Sequence, residues 1–171
     1  MFTPYRLLTW MLLTAGEIRG RKKLQKMVFI AQSLGYSFTE PFDLHVWGPY
    51  SETLAVKLKE MTDWGFAREE VLPGPAGNHH YIYTPGHNAA QAVRGPEAEA
   101  VLPTELVLHL NAQDATLLEG VATVLYLRSK GQDGEAAGET LARLKPDKFS
   151  DPARVRAAGI FAEELEAYRI S

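Results

Sequence analysis

The chain has 171 residues, 46% of them apolar and 10% aromatic, and a formal charge of −3. That composition supplies a buried core for one domain, or for a small domain with an appendage, and excludes both a disordered chain and a polycation built as a whole for nucleic acid. The absence of cysteine excludes disulfides and thiolate metal sites and is compatible with a reducing cytoplasm.

Thr3-Pro4 marks a helix start, because Thr3 can cap and Pro4 suits a first helical position that needs no N–H. Leu7, Leu8, Met11, Leu12 and Ala15 recur at helical spacing, and Trp10 and Leu13 extend the apolar surface, so this helix is expected to be buried on more than one side. Its apolar run falls well below the ~20 residues that a membrane crossing needs. It reads as a buried helix rather than a leader, with Gly16 as its stop.

The next segment is the most basic of the chain: Arg19, Arg21, Lys22, Lys23 and Lys26 stand against the single acid Glu17. A second helix is predicted over 21–34, with Leu24, Met27, Val28, Ala31 and Leu34 inward. Arg21, Lys22, Gln25 and Lys26 fall outside that stripe. Gly35 closes it. Phe38, Phe42, Leu44 and Val46 alternate, which predicts a short extended segment around 43–47 that Gly48-Pro49 breaks.

Ser51 caps a third helix with Leu54, Leu58 and Met61 buried, Trp64 near its end and Gly65 as its stop. The runs 66–72 and 79–84 flank the loop 73–78 and read as a hairpin. Three helices and a hairpin define an α+β, mainly helical chain, with a winged-helix-like N-terminal domain over 1–87 and the hairpin as its wing.

Residues 88–171 are expected to be a helical extension packed on that domain. The stretch 88–102 is an Ala/Glu-rich link with a short helix. Past Pro103, Asn111 and Asp114 cap a helix facing inward through Leu117, Leu118, Val121, Ala122 and Leu125. Residues 130–134 form a turn. Ala137, Leu141 and Leu144 mark a further helix ended by Pro146. Asp151-Pro152 starts the last one, with Val155, Ala158, Phe161, Leu165 and Tyr168 inward. From residue 88 on, 13 acids face 9 bases, so a basic front is joined to a mildly acidic back.

The sequence offers no catalytic set. His79 and His80 are adjacent on a strand and point to opposite faces, and none of the five histidines has a partner at ligand spacing. No nucleophile elbow and no Walker loop occur. Glu69-Glu70 and Glu163-Glu164 read as solvated faces. No catalytic, metal or cofactor-binding residues are therefore expected, and no cofactor.

Nucleic acid is the more serious candidate, since Arg19, Arg21, Lys22, Lys23 and Lys26 could hold phosphates beside a wing. Two features oppose it. The third helix sets Glu52, Glu60 and Asp63 against Lys57 and Lys59, without side chains suited to base edges. The link from Gly35 to Pro49 is also far longer than the turn of a helix-turn-helix. A solvated face, a protein-binding face and a DNA-binding face all stay open for the five basic residues.

The segment Gly20-Arg21-Lys22-Lys23-Leu24-Gln25-Lys26-Met27-Val28-Phe29-Ile30, followed by Gly48-Pro49-Tyr50-Ser51, Leu54, Leu58 and Gly65, resembles a pattern shared by two bacterial groups. These are the YwgA family and the Panacea domain of SocA-like antitoxins, also called the phage-associated GepA-like domain. The resemblance covers about residues 5–85. Glu119, Ala122, Thr123 and Tyr126-Leu127 are more similar to YwgA.

The Panacea resemblance implies neutralisation of a toxin by direct contact, or a proteolytic adaptor; the YwgA resemblance implies a winged-helix regulator. Neither carries an active site. Of the matching positions, Leu24, Gln25, Gly48, Pro49, Tyr50 and Ser51 are expected to be structural, with Gln25 satisfying backbone groups of the long link and Tyr50 packed beneath it. Arg21 and Lys26 stay with Arg19, Lys22 and Lys23 as candidate contacts to a partner or to nucleic acid. The expectation is a non-enzymatic cytoplasmic regulator that binds another protein and no membrane. The alternative is a DNA-binding transcriptional regulator using the second helix and the wing. A homodimer through the first and C-terminal helices is as open as a monomer.

Overall fold

The computed structural model describes residues 3–95 and 102–170. Helix α1 (Thr3–Ala15) buries Leu8, Thr9, Met11 and Leu12, and the Thr9 hydroxyl is satisfied by donating to the Tyr5 carbonyl at 2.7 Å. The helix packs against the segments His79–Pro85, Ala89–Ala92 and Thr104–Asn111, with Leu7 and Trp10 half-buried, while Leu13, expected to be inward, is 38% exposed. A two-residue strand follows, β1 (Ile18–Arg19), too short to leave a periodic signal and absent from the sequence reading.

Helix α2 (Arg21–Ser33) leads through the long link into a small antiparallel hairpin, β2 (Asp43–His45) and β3 (Gly48–Tyr50). Gly48-Pro49 therefore does not end the extended segment but begins its second strand. Ser51 caps α3 (Glu52–Trp64) by accepting from the Leu54 N–H at 3.1 Å, and Gly65 ends it in the left-handed conformation at φ 76. The wing is β4 (Ala67–Pro73) paired with β5 (His79–Pro85).

β1 adds to the free side of β5, which gives a three-stranded sheet ordered β1-β5-β4. Helix, strand, helix, helix and hairpin, closed by that sheet order, is the winged-helix-like arrangement. It is modified by the β2–β3 hairpin inserted between its second and third helices.

The rest is helical among the described residues: α4 (Ala89–Ala92), α5 (Thr104–Asn111), α6 (Ala115–Ser129), α7 (Gly134–Leu144), α8 (Pro146–Phe149) and α9 (Pro152–Leu165). Most of the link after α4, residues 96–101, lies outside the described residues. Asp114 alone caps α6, accepting from the Leu117 N–H at 2.7 Å, while Asn111 closes α5. Leu144 is exposed rather than inward, and Tyr168 sits in a 3-10 turn past α9.

Helix α6 is the centre of this half. It is buried from Leu118 to Leu125 and packs against α2, β3, α7 and α9. One apolar cluster runs from Leu8 through Met27 and Val121 to Leu165. The C-terminal end returns to α2, where the Ile170 N–H donates to the Leu34 carbonyl at 2.9 Å and Arg169 donates to the Ser33 carbonyl at 2.7 Å. No described helix is long and apolar enough to cross a membrane.

Candidate functional site

The basic motif opens α2, and its residues divide between two sides of that helix. Arg21 and Gln25, four apart, share one ridge; Lys22 and Lys26 share the next. The first ridge faces α3 and the wing. The second faces the β2–β3 hairpin and α6. Because α6 and the hairpin cover what would otherwise be the solvent side, α2 is buried without interruption from Leu24 to Ala31.

On the first side lies a cleft of about 360 Å³. Arg21, Leu24, Gln25 and Tyr50 line it together with Ala55, Leu58 and Lys59 of α3 and Glu69 and Tyr83 of the wing. The motif residues Arg21, Leu24, Gln25 and Tyr50 thus converge on one place.

Across the wing, Glu69 and Tyr83 are register partners, and Tyr81 shares the face of Tyr83 two residues away. The Arg21 Nε donates to the Tyr83 hydroxyl at 3.0 Å, and that hydroxyl donates to Glu69 Oε2 at 2.7 Å. The Arg21 guanidinium stacks 3.6 Å from the centre of the Tyr81 ring and lies 3.6 Å from the Glu69 carboxylate. Burial, and then the bond to Glu69, push the Tyr83 phenol far above its ordinary range. It stays a neutral relay between cation and carboxylate.

Beside this, Gln25 holds the link. Its Nε2 donates to the Ser51 carbonyl at 2.9 Å, and its Oε1 accepts from the Ser51 N–H at 2.9 Å. The expectation that Gln25 satisfies backbone groups of the link describes this geometry.

On the second side, Lys26 is 1% exposed and donates to the Pro49 carbonyl at 2.8 Å. Its place among surface contacts is therefore corrected. The stripe argument assumed solvent where α6 and the hairpin lie. Glu119 of α6, 3% exposed, is the buried carboxylate of this cluster, with Lys148 at 3.0 Å and Lys145 at 3.9 Å. Lys145 also donates to the Val46 carbonyl.

Burial lowers the Lys26 ammonium to about 8; Lys145, Lys22 and Lys148 push the same way, and Glu119 opposes them. Gly48 makes the packing feasible. Its φ of +87 suits glycine, and an added Cβ would meet Lys26 Cε and Thr123 Oγ1 at 3.2 Å and Glu119 Cγ at 3.3 Å.

From this buried base the hairpin projects its tip. Val46 is 84% exposed and Trp47 44%. Trp47 and Tyr50 have ring centres 6.3 Å apart, and the Lys22 ammonium lies 5.1 Å from the Trp47 ring centre.

The remaining basic residues do not form one face. Lys23 donates to the Asn111 carbonyl, and Arg19 pairs with Glu17. Arg21 belongs to the cleft. Lys22 stays exposed at the Trp47 ring.

No protein-family model matches the chain. Over 152 residues it is 32% identical to the uncharacterized protein YwgA of Bacillus subtilis (strain 168), covering 89% of this chain and 90% of that protein. The chain belongs to the YwgA family. Two parts of this YwgA-family site escaped sequence reading. Glu119, Lys145 and Lys148 carry no ligand or motif spacing, and the available signal was an acid inside the apolar run of α6. Glu69 read as a solvated strand face, although its place opposite Tyr83 follows once the hairpin register is fixed.

Proposed function

We propose that this YwgA-family chain is a non-enzymatic regulatory protein of the cytoplasm that binds another protein, in the antitoxin or adaptor manner that the Panacea resemblance implies. The docking point is the tip of the β2–β3 hairpin. The observation that carries this is the contrast within one short hairpin. Its base is fixed by Gln25 and Lys26, and Lys145 holds the backbone of the turn at the Val46 carbonyl, yet Val46 is 84% exposed and Trp47 44%. Aromatic side chains presented rigidly lose little entropy on binding and commonly anchor interfaces.

The rim sets the partner's chemistry. The exposed Lys22 beside the Trp47 ring puts a positive charge next to the tip, which suits an acidic protein surface with an apolar pocket. The DNA-binding alternative draws less support, because Lys26 is buried, Lys23 bonds to Asn111 and Arg21 lies in the cleft, which leaves Lys22 and the surface-paired Arg19 of the five basic residues.

The test places p-benzoylphenylalanine at position 46 for photo-crosslinking in a bacterial cell, then remeasures binding to the captured protein with both components pure. The expected result is one acidic partner whose affinity falls about tenfold or more with Trp47→Ala, the loss of a central aromatic anchor. Self-crosslinks alone, or a partner that binds Trp47→Ala undiminished, would overturn the reading.

A further inference from the structure

The cleft on the other side of α2 is not used by the hairpin reading, and its chemistry points to a ligand of its own. We propose that it binds a small monoanionic carboxylic acid with an apolar body.

The volume, about 360 Å³, lies within the range of small-molecule sites. Leu24, Ala55 and Leu58 give it apolar lining. The polar groups are mostly donors. Arg21 gives Nε to Tyr83, and its Nη2 is 3.6 Å from Glu69, beyond hydrogen-bond length, so most of its N–H fork has no acceptor among the described residues. The Tyr50 hydroxyl makes no hydrogen bond among the described residues; burial and then the Glu52 carboxylate raise its phenol above the ordinary range, against the charge of Arg21, so it stays a neutral donor.

Lys59 brings a second cation, tied only at the surface to Asp63 at 3.1 Å. Among the lining side chains the cations Arg21 and Lys59 face the single carboxylate of Glu69, with Asp63 beside Lys59 at the outer edge. Glu69 is already engaged by Tyr83 and Arg21. A carboxylate can take the open guanidinium edge and the Tyr50 hydroxyl while its apolar part lies against Ala55, behind which Leu24 and Leu58 are packed.

The experiment is an NMR and calorimetric titration of the full chain with phenylacetate, and with phenylacetamide as its neutral counterpart. Phenylacetate is expected to saturate the protein and to bind about tenfold tighter than the amide, the difference a charge-assisted hydrogen bond makes. Shifts should centre on the start of α2, on α3 and on β5. Arg21→Met and Tyr50→Phe should each weaken binding, and Ala55→Phe should fill the cleft and abolish it. Thermal melts establish folding; if Arg21→Met does not fold, the other two variants decide. No saturation at millimolar phenylacetate, hexanoate or indole-3-acetate, equal binding of the amide, shifts elsewhere, or binding retained in the folded variants would overturn the proposal.

Discussion

Gln25 and Ser51, twenty-six positions apart, are joined by a reciprocal pair of hydrogen bonds, each 2.9 Å, from one side-chain amide to both backbone groups of one residue. Ser51 is also the cap of α3, so the amide fixes both the end of the link and the start of a helix. Gln25→Leu leaves two buried backbone groups unsatisfied and should cost about 2–4 kcal/mol by urea denaturation. Gln25→Glu keeps the size but cannot donate while ionised. Its deficit should shrink as the pH falls and the carboxyl regains a proton to donate. A loss below about 0.5 kcal/mol for Gln25→Leu would remove the amide from this organising role.

The buried Lys26 ammonium makes stability depend on pH in the alkaline range. Burial lowers it from 10.5 to about 8 in the folded chain. Between those values the unfolded chain binds the proton and the folded chain does not, so stability rises with pH. The cost of burying the charge is fully present below about 8 and is relieved above it, by up to about 3 kcal/mol. Lys145, also lowered by burial, adds in the same direction. Above about 10 the trend turns, because Tyr83 keeps its proton in the folded chain while unfolded phenols lose theirs. Denaturation midpoints should climb from pH 8 toward 10, and Lys26→Met should flatten that rise. A slope unchanged in Lys26→Met would show that the ammonium is not its source.

Gly48 combines a left-handed backbone with close approach to three side chains of the second side. Gly48→Ala adds strain of about 1–2 kcal/mol from the backbone alone and more from contact with Lys26, Thr123 and Glu119. Gly77, equally left-handed at φ 76 but with open space around it, gives the control, since its alanine variant should bear the backbone part only. Comparable losses at the two positions by chemical denaturation would argue against crowding at Gly48.

What could be read from the chain follows from how local each signal is. Ser51, Gly65, Asp114 and Asp151 were legible as caps because capping chemistry acts over three or four residues. The wing was legible because a Gly/Pro loop separates two β-prone runs. β1 was not, since two residues carry no period and are strand only because β5 offers an edge. Lys26 misled for a different reason. Its helical position predicts exposure only when one side of the helix meets water, and α6 arrives there from ninety residues later to supply Glu119. The cleft was half legible: Arg21, Leu24, Gln25 and Tyr50 stood out as motif, but Glu69 and Tyr83 depend on a strand register that no local pattern announces.

The dispersal of the five basic residues sets an expectation for DNA. Each phosphate neutralised contributes about −0.9 to the slope of log affinity against log salt. A helix face using Arg19, Arg21, Lys22, Lys23 and Lys26 together would give a slope near −4 to −5, about −0.9 for each of five contacts. Here Lys26 is buried and Lys23 bonds to Asn111, and Arg21 lies in the cleft on the other side of α2 from Lys22, so the five do not present one face to a duplex. Lys22 and the surface-paired Arg19 are left, so fluorescence anisotropy with a labelled duplex should show weak association with a slope near −1 to −2. Lys22→Ala should reduce that slope further, while Lys26→Ala should change stability and leave it alone. A slope of −4 or steeper that falls with Lys22→Ala and Arg21→Ala would restore α2 as a phosphate-binding face and favour the DNA-binding regulator over the protein-binding one.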